Sequence, residues 1–338
     1  MISVTTPPPN IAIKNGIRPV NIQTDLLALA DLIELSFRDT MDENGRAAIR
    51  EMRSLSKMGL GLNLLTMTGL SELVMGISCG FVKIVEGRLV GNVSIYPANW
   101  HREIGKAWML ANVSTHPEYR QQGIAHDLMR RCIDYIAQKG ATDVILQVDY
   151  DNHPAIHLYE TLGFDRERAF TRWTRSSMVS TPQANDALKD IFFTKPRRSD
   201  WQQEYDLAQA TRPNNRGGIG WLHPTHIKDF KPSFMKMLRS VFTLSDKEKL
   251  IVRDDKTSDL LLSLWVERGL LSRTNLTLLK YPETDVRFAE VLLGSVLRRY
   301  RSSSFVLEHP HDDTDITELL TRYRFKPYRT LWHMRYRY

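Results

Sequence analysis

Cysteine is nearly absent: only Cys79 and Cys132 occur among the 338 residues. Two thiols so far apart in sequence build neither a disulfide framework nor a cysteine metal cluster. Their scarcity fits a reducing compartment, so a cytoplasmic protein without a metal is expected. Long apolar runs are missing too. Leu60–Ile77 comes nearest, yet it holds Asn63, Glu72 and several hydroxyl residues. A spanning helix needs about 20 almost continuous apolar residues. The stretch therefore predicts a buried helix and loop and no membrane span. The N-terminus has no basic region followed by an apolar core, so no signal peptide is expected. Met1–Pro9, with three consecutive prolines, predicts a frayed leader, and residues 1–16 are set aside as flexible. Charge of one sign is not in large excess: 46 Lys and Arg against 39 Asp and Glu give +7. That balance favours anionic ligands and is too mild to call for nucleic acid. No feature specifies an oligomeric state.

With 42% hydrophobic and 25% charged residues, the chain has material for two α/β domains. In the first, residues 17–175, a strand at Ile17–Asn21 leads to a helix from Asp25 to Phe37, with Thr24 as its cap. Leu26, Leu29, Ala30 and Ile33 recur at helical spacing. A second helix spans Glu43–Leu55. Phe81–Val85 and Leu89–Tyr96 form a hairpin about Glu86-Gly87-Arg88. The strand Ala107–Val113 enters a loop and then a helix over His126–Gln138. Val144–Val148, a helix over Pro154–Leu162 and a strand over Phe164–Thr174 complete the unit.

Ser176–Asp190 is polar, contains Pro182 and has no period, which marks a linker. The plan then restarts over residues 191–338. Leu250–Arg253 and Asp259–Glu267 pair as a hairpin, Asn275–Lys280 is the next strand, and Val286–Arg299 is an amphipathic helix. Phe305–Leu307, a helix over Asp313–Tyr323 and Phe325 close the second unit. Arg329–Tyr338 alternates basic residues with aromatics and Met. Interleaving of that kind occurs in nucleic-acid binders, but its period of two predicts a strand with one buried face.

Two segments carry chemistry. In Val113-Ser114-Thr115-His116-Pro117-Glu118-Tyr119-Arg120-Gln121-Gln122-Gly123-Ile124-Ala125 a strand runs through a loop into a helix. Unpaired N–H groups and a partial positive charge make a helix N-terminus an anion site. Gly123 lets a ligand approach the backbone, and Arg120 adds a fixed cation. Downstream, Asn152-His153-Pro154-Ala155-Ile156-His157-Leu158-Tyr159-Glu160-Thr161-Leu162-Gly163-Phe164 is a cap, a short helix, a glycine stop and a strand. In this order the two segments resemble the acetyl-CoA-binding core of the GNAT N-acyltransferase superfamily, whose signature is Arg/Gln-x-x-Gly-x-Gly/Ala followed by Asn-x-x-Ala-x-x-Leu-Tyr-x-x-x-Gly-Phe. A mixed, mostly antiparallel sheet flanked by helices is implied for each unit. The second unit has only Glu283-Thr284-Asp285 between Pro282 and Val286, with no glycine and no basic residue. It is a degenerate copy, or an unrelated α/β domain with the same order of elements.

The resemblance assigns the pyrophosphate of acetyl-CoA to backbone amides of Gln121, Gln122, Gly123, Ile124, Ala125 and His126, beside Arg120. Backbone groups of Val113 and Thr115 are implied to pair with the pantetheine arm, Ser114 facing away, and Asn152 to touch that arm. Tyr159 takes the position of the acid that protonates the leaving thiolate; thiol and phenol pKa values, about 8.5 and 10, are close enough for this. A backbone N–H at Leu110 or Ala111 is the candidate for the developing oxyanion. Trp108–Asn112 carries no acid, so the base is Asp149 or a water relay; Glu103 and His101 are expected at the surface. The primary amine of a small molecule is the expected acceptor. A protein or peptide amine, and a non-catalytic CoA-binding module, are the alternatives. Leu60–Ile77 either walls an acceptor pocket or cements the two units.

Overall fold

A computed structural model describes residues 15–57, 79–183, 188–220, 223–232, 246–269 and 273–338. The leader Met1–Pro9 and the apolar stretch Leu60–Ile77 lie outside the described residues. The first run of elements is β1 (Gly16–Pro19), α1 (Ile22–Phe37), α2 (Glu43–Ser56), β2 (Phe81–Val85), β3 (Arg88–Pro97), β4 (Ala107–Thr115), α3 (Ile124–Gln138), β5 (Asp143–Asp149), α4 (His153–Thr161) and β6 (Asp165–Arg175). The second is α5 (Trp201–Thr211), α6 (Ile227–Phe230), β7 (Asp246–Arg253), β8 (Leu260–Arg268), β9 (Thr274–Lys280), α7 (Val286–Arg299), β10 (Phe305–Pro310), α8 (Thr314–Arg322) and β11 (Lys326–Arg337). A counterpart of β1 survives there as one bridge, Thr194 to Ile251.

Local chemistry accounts for the boundaries. Asn21, not Thr24, caps α1: its side chain accepts from the N–H of Gln23 at 3.0 Å. Asp25 locks this entry, accepting from the Asn21 N–H at 2.8 Å and from both terminal nitrogens of Arg18 at 2.6 and 2.8 Å. Glu86 and Gly87 turn the β2–β3 hairpin with φ of 51° and 79°, the left-handed pair that matches strand twist.

Mixed and mostly antiparallel, the strands form one sheet in place of two. Its order is β1-β2-β3-β4-β5-β11-β6-β10-β9-β8-β7. In each run a parallel pair, β4 with β5 and β9 with β10, is followed by a final strand that crosses into the other run. Strand β11 pairs with β5, β6 pairs with β10, and β6 and β11 pair with each other. The exchanged strands feed the opposite cores. Met334 of β11 packs with Leu128, Met129 and Leu146 of the first run, and Trp173 of β6 packs with Leu292 and Phe305 of the second. Helices α1 and α2 cover the first run through Leu26, Ile33, Ile49 and Met52. Among the described residues no helix is long and apolar enough to cross a membrane.

The junction is acid-sensitive by construction. His309 on β10 and His333 on β11 flank β6 and are 2% and 3% exposed. Burial pushes their pKa values down to about 4 and about 3. The unfolded chain takes up these protons near pH 6.5 and the folded chain does not. Stability is therefore full above pH 6.5 and is lost as pH falls toward 4, on the order of 3 kcal/mol per histidine. Melting temperatures should drop steadily between pH 7 and pH 4.5, and less steeply in His333→Phe. A flat profile would remove this account.

Candidate active site

The Gly123 loop is held from below. The His116 N–H donates to the carbonyl of Val90 at 2.8 Å, and residues 117–119 form one helical turn. Gln121 (φ 61°) and Gly123 (φ 77°) are both left-handed, which turns successive amides toward one side, the geometry of an anion nest. Helix α3 begins immediately and no side chain caps it. Its first amides, at Ile124, Ala125 and His126, consequently lack intrahelical partners. A Cβ at Gly123 would meet nothing within 4 Å, so the cradle is open to a ligand. Gln121 and Gln122 are exposed, whereas the Ile124 side chain is buried in the core and offers its backbone alone. Arg120 is exposed, and its Nε donates to the Thr115 carbonyl at 3.3 Å.

The corresponding place in the second run has the opposite polarity. Lys280 Nζ donates to the carbonyls of Tyr281, Pro282 and Thr284 at 3.1, 3.2 and 3.0 Å. Asp285 caps α7 with its own carboxylate, accepting from the Arg287 N–H at 2.9 Å. The loop points carbonyls inward and a carboxylate already fills the anion position.

Strand β4 separates from β5 beside the cradle. The two pair only over Ala107–Met109 with Asp143–Ile145. The register of β4 on β3 slips between Asn92–Ser114 and Ser94–Ala111, which sets Asn112 and Val113 opposite Val93. Asn112 takes φ of 51°, its carbonyl accepts from Asn92 Nδ2 at 3.1 Å, and its own Nδ2 donates to Ser94 Oγ at 3.2 Å. This bulge falls on the strand that carries Leu110, Ala111, Val113 and Thr115. Ser114 is buried and its hydroxyl has no partner among the described residues.

Asn152 caps α4, its Oδ1 accepting from the Ala155 N–H at 3.2 Å, which leaves its NH2 group for other contacts. Tyr159, 6% exposed, lies about two turns further along the helix, against the core of the first run. Burial raises its pKa, so the hydroxyl keeps its proton at neutral pH.

Beyond the bulge lies a cavity of about 400 Å3 between α1, α2, β3 and β4. Its walls are apolar, from Ile33, Phe37, Met41, Ile49, Met52 and Met109; Tyr96, Asn112, Asp42 and Arg329 are its polar groups. Burial raises the Tyr96 pKa against hydrogen bonds from Ser94 and Asn112. A second, open groove of about 590 Å3 shares Thr40 and Arg329 with the first and continues along Asp149, Tyr150, Asp151 and Asn152. Asp149 is clamped between the two: Arg329 Nε and Nη2 donate to its oxygens at 2.6 and 2.8 Å.

His101 and Glu103 line neither cavity. His101 stacks on His226 at 4.1 Å, and Glu103 accepts from His226 Nε2 at 2.7 Å and from Lys228, which holds its carboxyl below the usual range. His101, His226 and Asp229 are close enough to suggest a cation site. Yet His226 caps α6, its Nδ1 accepting from the Lys228 N–H at 3.3 Å, so its proton sits on Nε2, the nitrogen facing Glu103. The trio is a latch between the β3–β4 loop and the second run.

Tyr96, Asn112 and Arg329 escaped the reading of the sequence. An Asn inside an apolar strand pattern is a signal for a bulge. Arg329 gave no signal, because its place depends on the strand exchange.

Residues 72–164 match the Acetyltransferase (GNAT) family. The chain superimposes on a GCN5-related N-acetyltransferase from Sphaerobacter thermophilus, with a TM-score of 0.56, 13% identity and 96% of each chain covered. The fold is that of the GNAT superfamily. N-alpha-acetyltransferase 30 of Schizosaccharomyces pombe is 33% identical over 93 residues, which is 28% of this chain and 61% of that protein. A mycothiol acetyltransferase of Renibacterium salmoninarum is 33% identical over 87 residues, 26% of this chain and 23% of the other. An N-alpha-acetyltransferase MAK3 of Arabidopsis thaliana is 29% identical over 139 residues, 39% of this chain and 68% of that protein. The aligned part thus spans less than two thirds of the first two of these relatives. A GNAT fold implies an acetyl-CoA site of the generic kind, and the open cradle at Gly123 fits its anionic pyrophosphate.

Proposed function

We propose that the chain is an acetyl-CoA-dependent N-acetyltransferase whose acceptor is the amine of a peptide or protein. The observation that carries this is the apolar cavity opening past Arg329 into a second, solvent-facing groove. A small amine would fill the first and leave the second without purpose; an acceptor that continues beyond its amine uses both. Relatives named N-alpha-acetyltransferase point the same way. The catalytic unit is residues 17–175, joined by a linker at 176–190 to a degenerate copy at 191–338. The repeated strand pairing and the carboxylate-capped α7 support that division. A chain with only two cysteines, Cys79 and Cys132, agrees with a cytoplasmic site of action.

In this reading the amides of Gln121 through His126 hold the pyrophosphate, with Arg120 beside them. Backbone groups of Val113 and Thr115 pair with the pantetheine arm along the opened edge of β4, and the NH2 of Asn152 reaches the same arm. The acceptor nitrogen attacks the thioester carbon, the C–S bond breaks, and the thiolate takes a proton from Tyr159. The attacking nitrogen gives up its own proton through water; Asp149, clamped by Arg329, is a positioning group. Full-length protein, acetyl-CoA and matched panels of peptides and small amines test this through release of free thiol. Turnover of peptides with a free apolar N-terminus should exceed that of small amines at least about tenfold in kcat/KM. Equal or better use of small amines returns the site to a small-molecule acceptor.

A further inference from the structure

We propose that Arg329, delivered by the exchanged strand β11, positions the acceptor by binding the carbonyl oxygen next to its amine. The inference rests on the peptide reading above and assigns the second half a part in the first half's site. Among the described residues Arg329 is the single cation lining either cavity, beside Asp42, Asp149 and Asp151. Those acids suit an incoming ammonium, and a peptide N-terminus carries an ammonium and a carbonyl side by side. A guanidinium has five N–H donors. Two of them are spent on Asp149, at 2.6 and 2.8 Å, which fixes the plane of the group. Nη1 donates to no protein group among the described residues, and the side chain remains 34% exposed.

The repeat itself contains the proposed contact. Arg329 precedes by two residues Leu331, which pairs with the last residue of β5, Asp149. Arg168 on β6 precedes by two residues Phe170, which pairs with the last residue of β10, Pro310. Arg168 also spends its Nε on a carboxylate, Asp312 at 2.8 Å, and its Nη1 donates to a backbone carbonyl, that of Thr211 at 3.0 Å. Thr211 ends α5, and the next residue, Arg212, is wholly buried. In the second half the chain supplies the carbonyl. In the first half α1 ends at Phe37, in the cavity wall, and the acceptor supplies it.

Steady-state kinetics on the full chain decides the matter with two acceptors, a peptide with N-terminal leucine and isopentylamine, which keeps the side chain and the amine but lacks the carbonyl. Arg329→Met should raise KM for the peptide about tenfold or more, the worth of one hydrogen bond to a charged group. KM for isopentylamine and the dissociation constant of acetyl-CoA should stay within about twofold. Arg329→Lys retains a cation for Asp149 but loses the planar fork, so it should show the same selective rise, and it carries the test if Arg329→Met fails to fold. A peptide KM that does not change in a folded variant, or an equal loss on both acceptors, overturns the role of Arg329 and leaves the peptide reading standing. Wild-type turnover of isopentylamine with none of the peptide overturns both.

Discussion

Gly123→Val should weaken acetyl-CoA binding at least about a hundredfold and leave the fold intact. At φ 77° any Cβ is strained, by about 1–2 kcal/mol for an ordinary residue and more for a branched one. The strain has an easy outlet, because residues 121–123 are exposed and nothing packs against the new side chain. The loop relaxes by rotating the peptide on either side of residue 123, and that turns its amides away from the anion. Two charge-assisted hydrogen bonds lost at roughly 1.5–3 kcal/mol each exceed the roughly 2.7 kcal/mol that a hundredfold requires. Calorimetry on wild type should give one acetyl-CoA per chain, and no residual site in the variant. The second half cannot take over, since Lys280 collects its loop carbonyls and Asp285 occupies the helix end. Two sites per chain, or an unchanged dissociation constant in Gly123→Val, would falsify the cradle assignment.

Local structure was legible because its causes are local. The alternation and spacing that predict Phe81–Val85 and Val286–Arg299 return those two elements with the same bounds. Gly123 was readable as the turn residue before a helix since its neighbours encode a strand, a turn and an amphipathic helix in succession. The cap of α1 moved from Thr24 to Asn21 because side-chain pairing decided it: Arg18 holds Asp25, and Asp25 holds the Asn21 N–H. Either residue type is a competent cap, so composition alone leaves both open.

What the sequence hides is pairing at long range. Arg329–Tyr338 announces a strand by its period, and the period does not say which strand lies beside it. Its arginines look solvent-bound, yet Arg335 is 8% exposed, bonded to Glu167 of β6 at 2.6 Å and facing Trp100 of the first half. Only the exchange puts those partners together. The same exchange sets Arg329 on Asp149, the carboxylate that sequence order made the nearest candidate base. The bulge at Asn112 belongs to this class as well: it depends on register against Asn92 and Ser94, some twenty positions earlier.

Tyr159→Phe should lower kcat by about a hundredfold or more without changing acetyl-CoA affinity or melting temperature. The separation of effects follows from the surroundings of the hydroxyl. No protein group bonds to it among the described residues, and the ring packs in the core of the first half, 6.1 Å from that of Phe164. Phenylalanine keeps the packing, and removing a hydroxyl without a partner leaves no donor or acceptor orphaned, so stability holds. A general acid supplies roughly a hundredfold to ten-thousandfold, all of it lost with the proton. The pH profile gives an independent reading. Burial raises the Tyr159 pKa above the usual value near 10, so the acid form persists through the accessible range and no alkaline limb should appear below about pH 10. The rate should instead rise as pH increases toward about 8, where a peptide α-amine loses its proton. For a lysine-like amine the rise would continue toward pH 10. Loss of acetyl-CoA affinity in step with kcat, or an alkaline limb near pH 8 that persists in Tyr159→Phe, would remove the tyrosine from the proton path.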